Sequence, residues 1–480
     1  MKNSKLASLL SKLDKNELKE FGKFVKSPYF NSNAKVVKLY ELIAKHFPEF
    51  ESAKLSKENI YKHIYPSEKY NDSTVRGLLA SMLKLGEEFL VVSHFKVEKH
   101  YYDEFLLSEL ADRRIFDLFN INYKKITEEL ENSNSKDEEY YYLKFRIETK
   151  RNSILSKTFI PLTQKDIPGD MRTEDSDALI NFFLISLYKR YNYLLTKMGS
   201  LNVSAEMDFL NETLDYLGRK DLKKIPTLNF HYNRAMLYLS GMDEKYFLKL
   251  KDILFNDFNS LDHTERYNIM AVLQNYCVQK ARDKEDAMGQ IQYELYNFAI
   301  AKDILTFDNV EPVHHILFSN IVTAMLFVNK IDEAKNFIKK FKTRVAPDRM
   351  ESAENLNMAK ICFKEKKYED ALTLLVKVRH EDVFYKIGIK NLYAMIYYEM
   401  NYIEELFMQL DSYKSFISSN VLLGKRLKES HSNFVNFLLK LVKLKDIGKK
   451  DDIEYLEHEI KKTYSLTGKA WLLKKIDELK

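Results

Sequence analysis

Residues that punctuate turns are scarce in this chain: 12 glycines and 8 prolines in 480 residues, about a third of ordinary usage. The shortage excludes an all-β fold, because sandwiches and barrels need turn chemistry every 8–12 residues or so. A doubly wound sheet needs glycine-rich strand-to-helix turns and is excluded on the same ground. Cysteine is nearly absent. Cys277 and Cys362 stand apart among apolar neighbours in separate helix-like segments, which argues against a metal knuckle or a disulfide framework and for a reducing interior. Long hydrophobic runs are missing too. The longest, near Ala178 to Tyr188, is about half of the ~20 residues that cross a bilayer. The basic start Met1 to Lys5 leads into an apolar stretch that Lys12 ends too soon for a secretory signal. A soluble, cytoplasmic protein is therefore expected. No sign of charge dominates: Lys plus Arg is 76, Asp plus Glu is 70, and the net charge of +6 is a mildly basic surface, not the dense field of a nucleic-acid coat.

What is present is helical material, 45% hydrophobic and 30% charged, enough for several cores or one continuous stack. The expected fold class is all-α. Asp14-Lys15-Asn16-Glu17 has the form of a capping box, after which Leu18, Phe21 and Val25 share a face and Pro28 ends the helix. Ala34 to Phe47, closed by Pro48, predicts a second helix. Ser56 to Tyr65, with Ser56 as N-cap and Pro66 beyond, predicts a third, and a fourth starts at Asp72 or Ser73 and runs towards Val92. Residues 1–95 thus read as an N-terminal helical bundle. Residues 96–177 read as long helices, interrupted at 132–137, followed by a loop from Ser156 to Asp177 that holds Pro161, Pro168 and Gly169. Helix pairs follow over 178–420, with breaks near Gly199, Pro226, Gly241 and Pro312, and 421–480 reads as C-terminal capping helices.

A period emerges in the last third. Ile331-Asp332-Glu333-Ala334, Tyr368-Glu369-Asp370-Ala371 and Tyr402-Ile403-Glu404-Glu405 each follow a short polar turn, and Ala334, Ala371 and Glu405 lie 37 and then 34 residues apart. In the clearest unit, Leu356, Met358, Ala359, Cys362 and Phe363 form a first helix, Glu365-Lys366-Lys367 turns, and Tyr368, Ala371, Leu372, Leu375 and Val378 form a second. Neither helix can bury its apolar face alone, so neighbours must stack. Ala359 as the small residue, with Tyr368 and Ala371 after the turn, resembles the tetratricopeptide repeat (TPR), over about residues 310–420. The unit departs from that pattern in placing Lys366 where the turn glycine stands, Cys362 where a tyrosine stands and Glu405 where the next alanine belongs. The resemblance implies a right-handed α-solenoid that binds a protein or peptide partner on its concave face. Members that clamp a carboxylate use Lys, Arg and Asn on the inner helices. Asn320, Asn355, Lys360, Lys390 and Asn391 are the candidates for that role, against the plainer reading that they cap helices or face solvent.

Catalytic signatures are wanting. His314-His315 next to Glu311, and the group His94, Glu98, His100 and Glu104, lack the spacing of a metal-binding helix. No nucleophile elbow, phosphate loop or dinucleotide turn is found. Glu87-Glu88 and Glu138-Glu139 sit in charged faces with nothing apolar to shift a pKa. The 31 Tyr and 31 Phe, against one tryptophan, Trp471, fall at helical spacing and read as interface filling. No enzyme, cofactor or metal is expected. The alternative to a partner-binding scaffold is a nucleic-acid-binding regulator in which 56–65 and 73–89 form a helix-turn-helix with Thr74, Arg76 and Lys84 as contacts. Against it, Val75, Leu78, Leu79, Met82 and Leu83 on the same helix read as core. Two further basic faces, Lys5 to Lys26 and Lys425 to Lys450, fit solvated helix surfaces as well as they fit phosphates or a membrane surface.

Overall fold

The structure, a computed structural model, describes residues 4–97, 99–133, 135–157, 174–200, 204–280, 285–308, 311–379, 382–447 and 450–480. The loop expected over 156–177 lies outside these residues except at its ends. Every regular element among the described residues is a helix, and the one β-type contact is an isolated bridge between Val313 and Val345. The class is all-α. The chain divides into two compact units, residues 1–128 with 146–161, and residues 129–145 with 162–480.

The first unit opens with α1 (Lys5–Leu10), α2 (Lys15–Lys26), α3 (Ala34–Ala44), α4 (Lys57–Ile64) and α5 (Asp72–Val97), followed by α6 (Lys99–Asp112) and parts of α7 (Phe116–Glu131) and α8 (Glu138–Lys157). The capping box forms as read: Asp14 Oδ1 accepts from the amides of Asn16 and Glu17, and Glu17 Oε2 takes the Asp14 amide at 2.7 Å. Ser56 caps α4 through the Asn59 amide. α5 starts at Asp72 as read, capped by Asn71 with its Oδ1 on the Thr74 amide. α3 stops at Ala44, short of Phe47, since the residue before a proline is pushed out of helical backbone. The helix expected across 101–131 breaks at Arg114, whose φ of 59° closes α6 without glycine. An apolar core joins α1 to α5: Phe21, Val36, Leu39, Ile60, Val75 and Met82 are all completely buried. Gly22 lies directly under the Tyr40 ring, leaving no room for a Cβ, and the Tyr40 hydroxyl donates to Leu18 O.

The second unit comprises α9 (Glu174–Ser200), α10 (Leu210–Gly218), α11 (Pro226–Leu239), α12 (Glu244–Asn256), α13 (His263–Lys280), α14 (Glu285–Ala301), α15 (His315–Phe327), α16 (Ile331–Phe341), α17 (Pro347–Lys364), α18 (Tyr368–Val376), α19 (Val383–Glu399), α20 (Ile403–Ser419), α21 (Lys425–Ile447), α22 (Lys450–Lys462) and α23 (Lys469–Asp477). Pro226 begins α11, Gly241 follows its end, and α9 ends one residue after Gly199. From α11 onward each helix packs on the next, and α9 also packs on α11, α15 on α17, and α17 on α19. The three polar turns share one geometry. Asn329, Lys366 and Asn401 adopt left-handed backbone with φ near 60°, and the next amide reaches back to the carbonyl five residues earlier, as Lys367 does to Cys362 O at 2.8 Å. This is the Schellman closure, usually built on glycine. Ala359 and Ala371 are fully buried where α17 meets α18. At the far end Trp471 Nε1 and Lys475 Nζ both donate to the Glu399 carboxylate, fixing α23 to α19.

Candidate functional site

Of the partner-binding candidates, Lys360 is the one placed in a built environment. It is half-buried on α17, and its ammonium donates to Ser319 Oγ at 2.6 Å and Thr323 Oγ1 at 2.8 Å, both on α15. Its described partners are hydroxyls and a carbonyl, with no carboxylate among them, and burial pushes it down to about 8. An amine so held favours losing its proton or gaining an anion. The asparagine that joins this group is Asn357, not Asn355: it is completely buried, Ser319 Oγ donates to its Oδ1 at 3.0 Å, and its Nδ2 donates to Ala353 O. Helical spacing explains the difference, because 357 and 360 share a face and 355 does not. Lys390 and Asn391 do not join. Lys390 turns to Ser412 of α20, and Asn391 Nδ2 contacts the Met395 sulfur on its own helix.

Asn320, one residue on from Ser319, is exposed on α15 and lines an open cavity of about 240 Å³ between α13, α14 and α15. Facing it are Tyr267, Gln274 and Asn275 from α13, Tyr296 from α14 and His314 before α15, with Met270, Ile304 and Leu317 among the apolar wall. Gln274 is buried, its Nε2 donating to Gln292 O at 3.1 Å while its Oε1 has no partner. Tyr296 is buried, and Asn320 hydrogen-bonds its hydroxyl, which burial keeps protonated far above neutral pH. His314 is the N-cap of α15, its Nδ1 accepting from the Ile316 amide, and its ring stacks on His315.

A second polar group went unread in the sequence. His231 on α11 and Glu265 on α13 are both fully buried, with Nε2 and Oε1 3.4 Å apart. Thr227 Oγ1 donates to Glu265 Oε2 at 3.1 Å, and Asn192 Nδ2 on α9 donates to His231 O at 2.9 Å. Burial raises the Glu265 carboxyl to about 7, partly offset by Lys189, and burial with Lys189 and Arg234 holds His231 neutral well below its usual range. Among the described residues neither His231 Nε2 nor Glu265 Oε1 has a hydrogen-bond partner, so each faces the other alone. These residues lie 38 or 39 apart in sequence where they bond, so no local motif announces them.

The nucleic-acid candidates lie on α5. Arg76 is exposed and pairs with Asp72 at 2.6 Å, which also takes Lys57. Thr74 is half-buried and Lys84 exposed, while Val75, Leu78 and Met82 are buried against the bundle. Of the histidine group, Glu104 is buried and bonded to Arg146 at 2.7 Å. Among the described residues no cluster of three or more His, Cys, Asp or Glu could hold a metal, and no helix is long and apolar enough to cross a membrane. Cys277 is buried and pushed up to about 12, which makes it inert.

Comparison of the chain with protein-family models, with curated proteins and with solved structures finds no match in any of the three.

Proposed function

We propose that residues 178–420 form a helical-repeat scaffold, TPR-like from about 310, that binds a protein or peptide segment along the row of first helices α13, α15, α17 and α19, with Lys360 receiving a carboxylate of that segment. The single observation behind the proposal is Lys360 itself. A half-buried ammonium held only by neutral groups gains from the arrival of an anion, and the resemblance implies lysines on first helices as contacts for a carboxylate. The repeat reading draws support from side-chain hydrogen bonds between successive helix pairs, which join residues about one period apart: Asn192 with His231 at 39, Thr227 with Glu265 at 38, and Ser319 with Asn357 at 38. That spacing carries the period back from 310 to α9. The Schellman turns at Asn329, Lys366 and Asn401 recur at 37 and then 35 residues. The reading is non-enzymatic and needs no cofactor.

The test is selection of a random peptide library on the intact chain, followed by replacement of each carboxylate in the selected peptides by its amide. Selected peptides should lose at least tenfold in affinity when one particular carboxylate is neutralised, and Lys360→Met should cost the same. Selection of peptides whose affinity no carboxylate affects would remove the reading.

A further inference from the structure

The cavity between α13, α14 and α15 has the features of a small-molecule site, separate from the partner segment proposed for Lys360. Its described wall contains no Asp, Glu, Lys or Arg, and its one histidine, His314, spends Nδ1 on accepting the Ile316 amide, so little in it would repay the desolvation of a charged ligand. Two aromatic side chains, Tyr267 and Tyr296, with Met270, Ile304 and Leu317, favour a flat apolar body. The polar groups ask for something more definite than a hydrocarbon. Gln274 is more than nine-tenths buried, its amide nitrogen is committed to Gln292 O, and its Oε1 is an acceptor without a partner. Buried acceptors of that kind are rare and call for a donor. Tyr296 offers the converse: Asn320 hydrogen-bonds the hydroxyl, and the phenol keeps its proton for an acceptor.

We infer that this cavity binds an uncharged, planar ring molecule carrying an amide-type N–H donor and C=O acceptor, the chemistry shared by aromatic carboxamides and ring lactams. The N–H meets Gln274, the carbonyl meets Tyr296, and the ring lies among the aromatic and aliphatic walls. A wholly apolar ring would fill the volume and leave Gln274 unsatisfied. An anionic ring would bring a charge to a wall with none to answer it.

Three probes of nearly equal shape separate these cases: benzamide, benzoate and toluene, each titrated against the intact protein by ligand-observed NMR. Benzamide should bind in the millimolar range or tighter, with benzoate and toluene at least tenfold weaker. Gln274→Leu should bring benzamide down to the level of toluene without changing toluene itself. Ala271→Phe, introduced at an exposed position of the cavity wall, should block all three and carries little risk to folding. Both variants should leave the helical circular dichroism of the parent. The inference is overturned if benzamide fails to bind at millimolar concentration, if benzoate matches it, or if folded Gln274→Leu and Ala271→Phe proteins bind benzamide as the parent does. None of these results bears on Lys360, which does not line the cavity.

Discussion

The N-terminal bundle and the helix pairs from α9 onward use polar residues in opposite ways. In the bundle they act at helix ends and over short distances: Ser4, Asp14, Asn33 and Ser56 cap the helices that follow them. No polar side chain between 4 and 97 is buried among the described residues. In the second unit Asn192, Thr227, His231, Glu265, Ser319 and Asn357 are buried between neighbouring helices and bond across 38 or 39 residues of sequence. The difference teaches what each region must specify. A bundle with an apolar core fixes its helices by shape, whereas stacked pairs of similar shape gain their register from polar groups that fit only one neighbour.

The largest expected effect probes the apolar core. Phe21 is completely buried and meets Tyr40 and Phe89 edge-on or tilted, so Phe21→Ala should cost about 3–5 kcal/mol. Calorimetry should find that loss equal at pH 5 and pH 9. The Glu265 site should behave otherwise. Its carboxyl titrates at about 7 in the fold against an ordinary 4.5, so its contribution to stability is complete below 4.5 and is lost as pH rises through 7. His231, held neutral, has the opposite sign, its contribution lost as pH falls below 6.5. Glu265→Gln should therefore gain on the parent between pH 5 and pH 9, by up to about 3 kcal/mol. A gain that does not vary with pH would erase the contrast between the two regions.

Smaller effects test the ends of helices. Asp14→Ala removes the capping box and should cost about 1 kcal/mol. Lys366→Gly should do the reverse, because a left-handed residue without a Cβ loses the steric penalty that Lys366 bears at φ 62°, a gain of about 0.5–1 kcal/mol. Urea titration of each variant checks both, and destabilisation by Lys366→Gly would mean that its side chain, not its backbone, holds the turn.

How much was legible follows the same divide. The caps at Asp14 and Ser56 could be read because the capping residues and their partners lie within three positions. The repeat turns could be placed but not explained: Asn329, Lys366 and Asn401 stand where glycine is usual, and nothing local signals their left-handed backbone. Arg114, which splits the helix expected across 101–131, was missed for that reason. Lys360 was singled out by the resemblance to the repeat family. Its partners Ser319 and Thr323, and Asn357 that bonds Ser319 in turn, were not, because they come from the facing helix or from a register that only packing fixes. The His231 and Glu265 pair and the Gln274 cavity depend wholly on which helices become neighbours.

The central claim is that Lys360 awaits a carboxylate, and the pH dependence of binding tests it most directly. With a selected acidic peptide titrated against the intact chain between about pH 6.5 and 9.5, affinity should fall as the pH passes about 8, where Lys360 loses its proton, and Lys360→Met should bind weakly at every pH. A flat profile in the parent, or one that survives in Lys360→Met, would contradict the account.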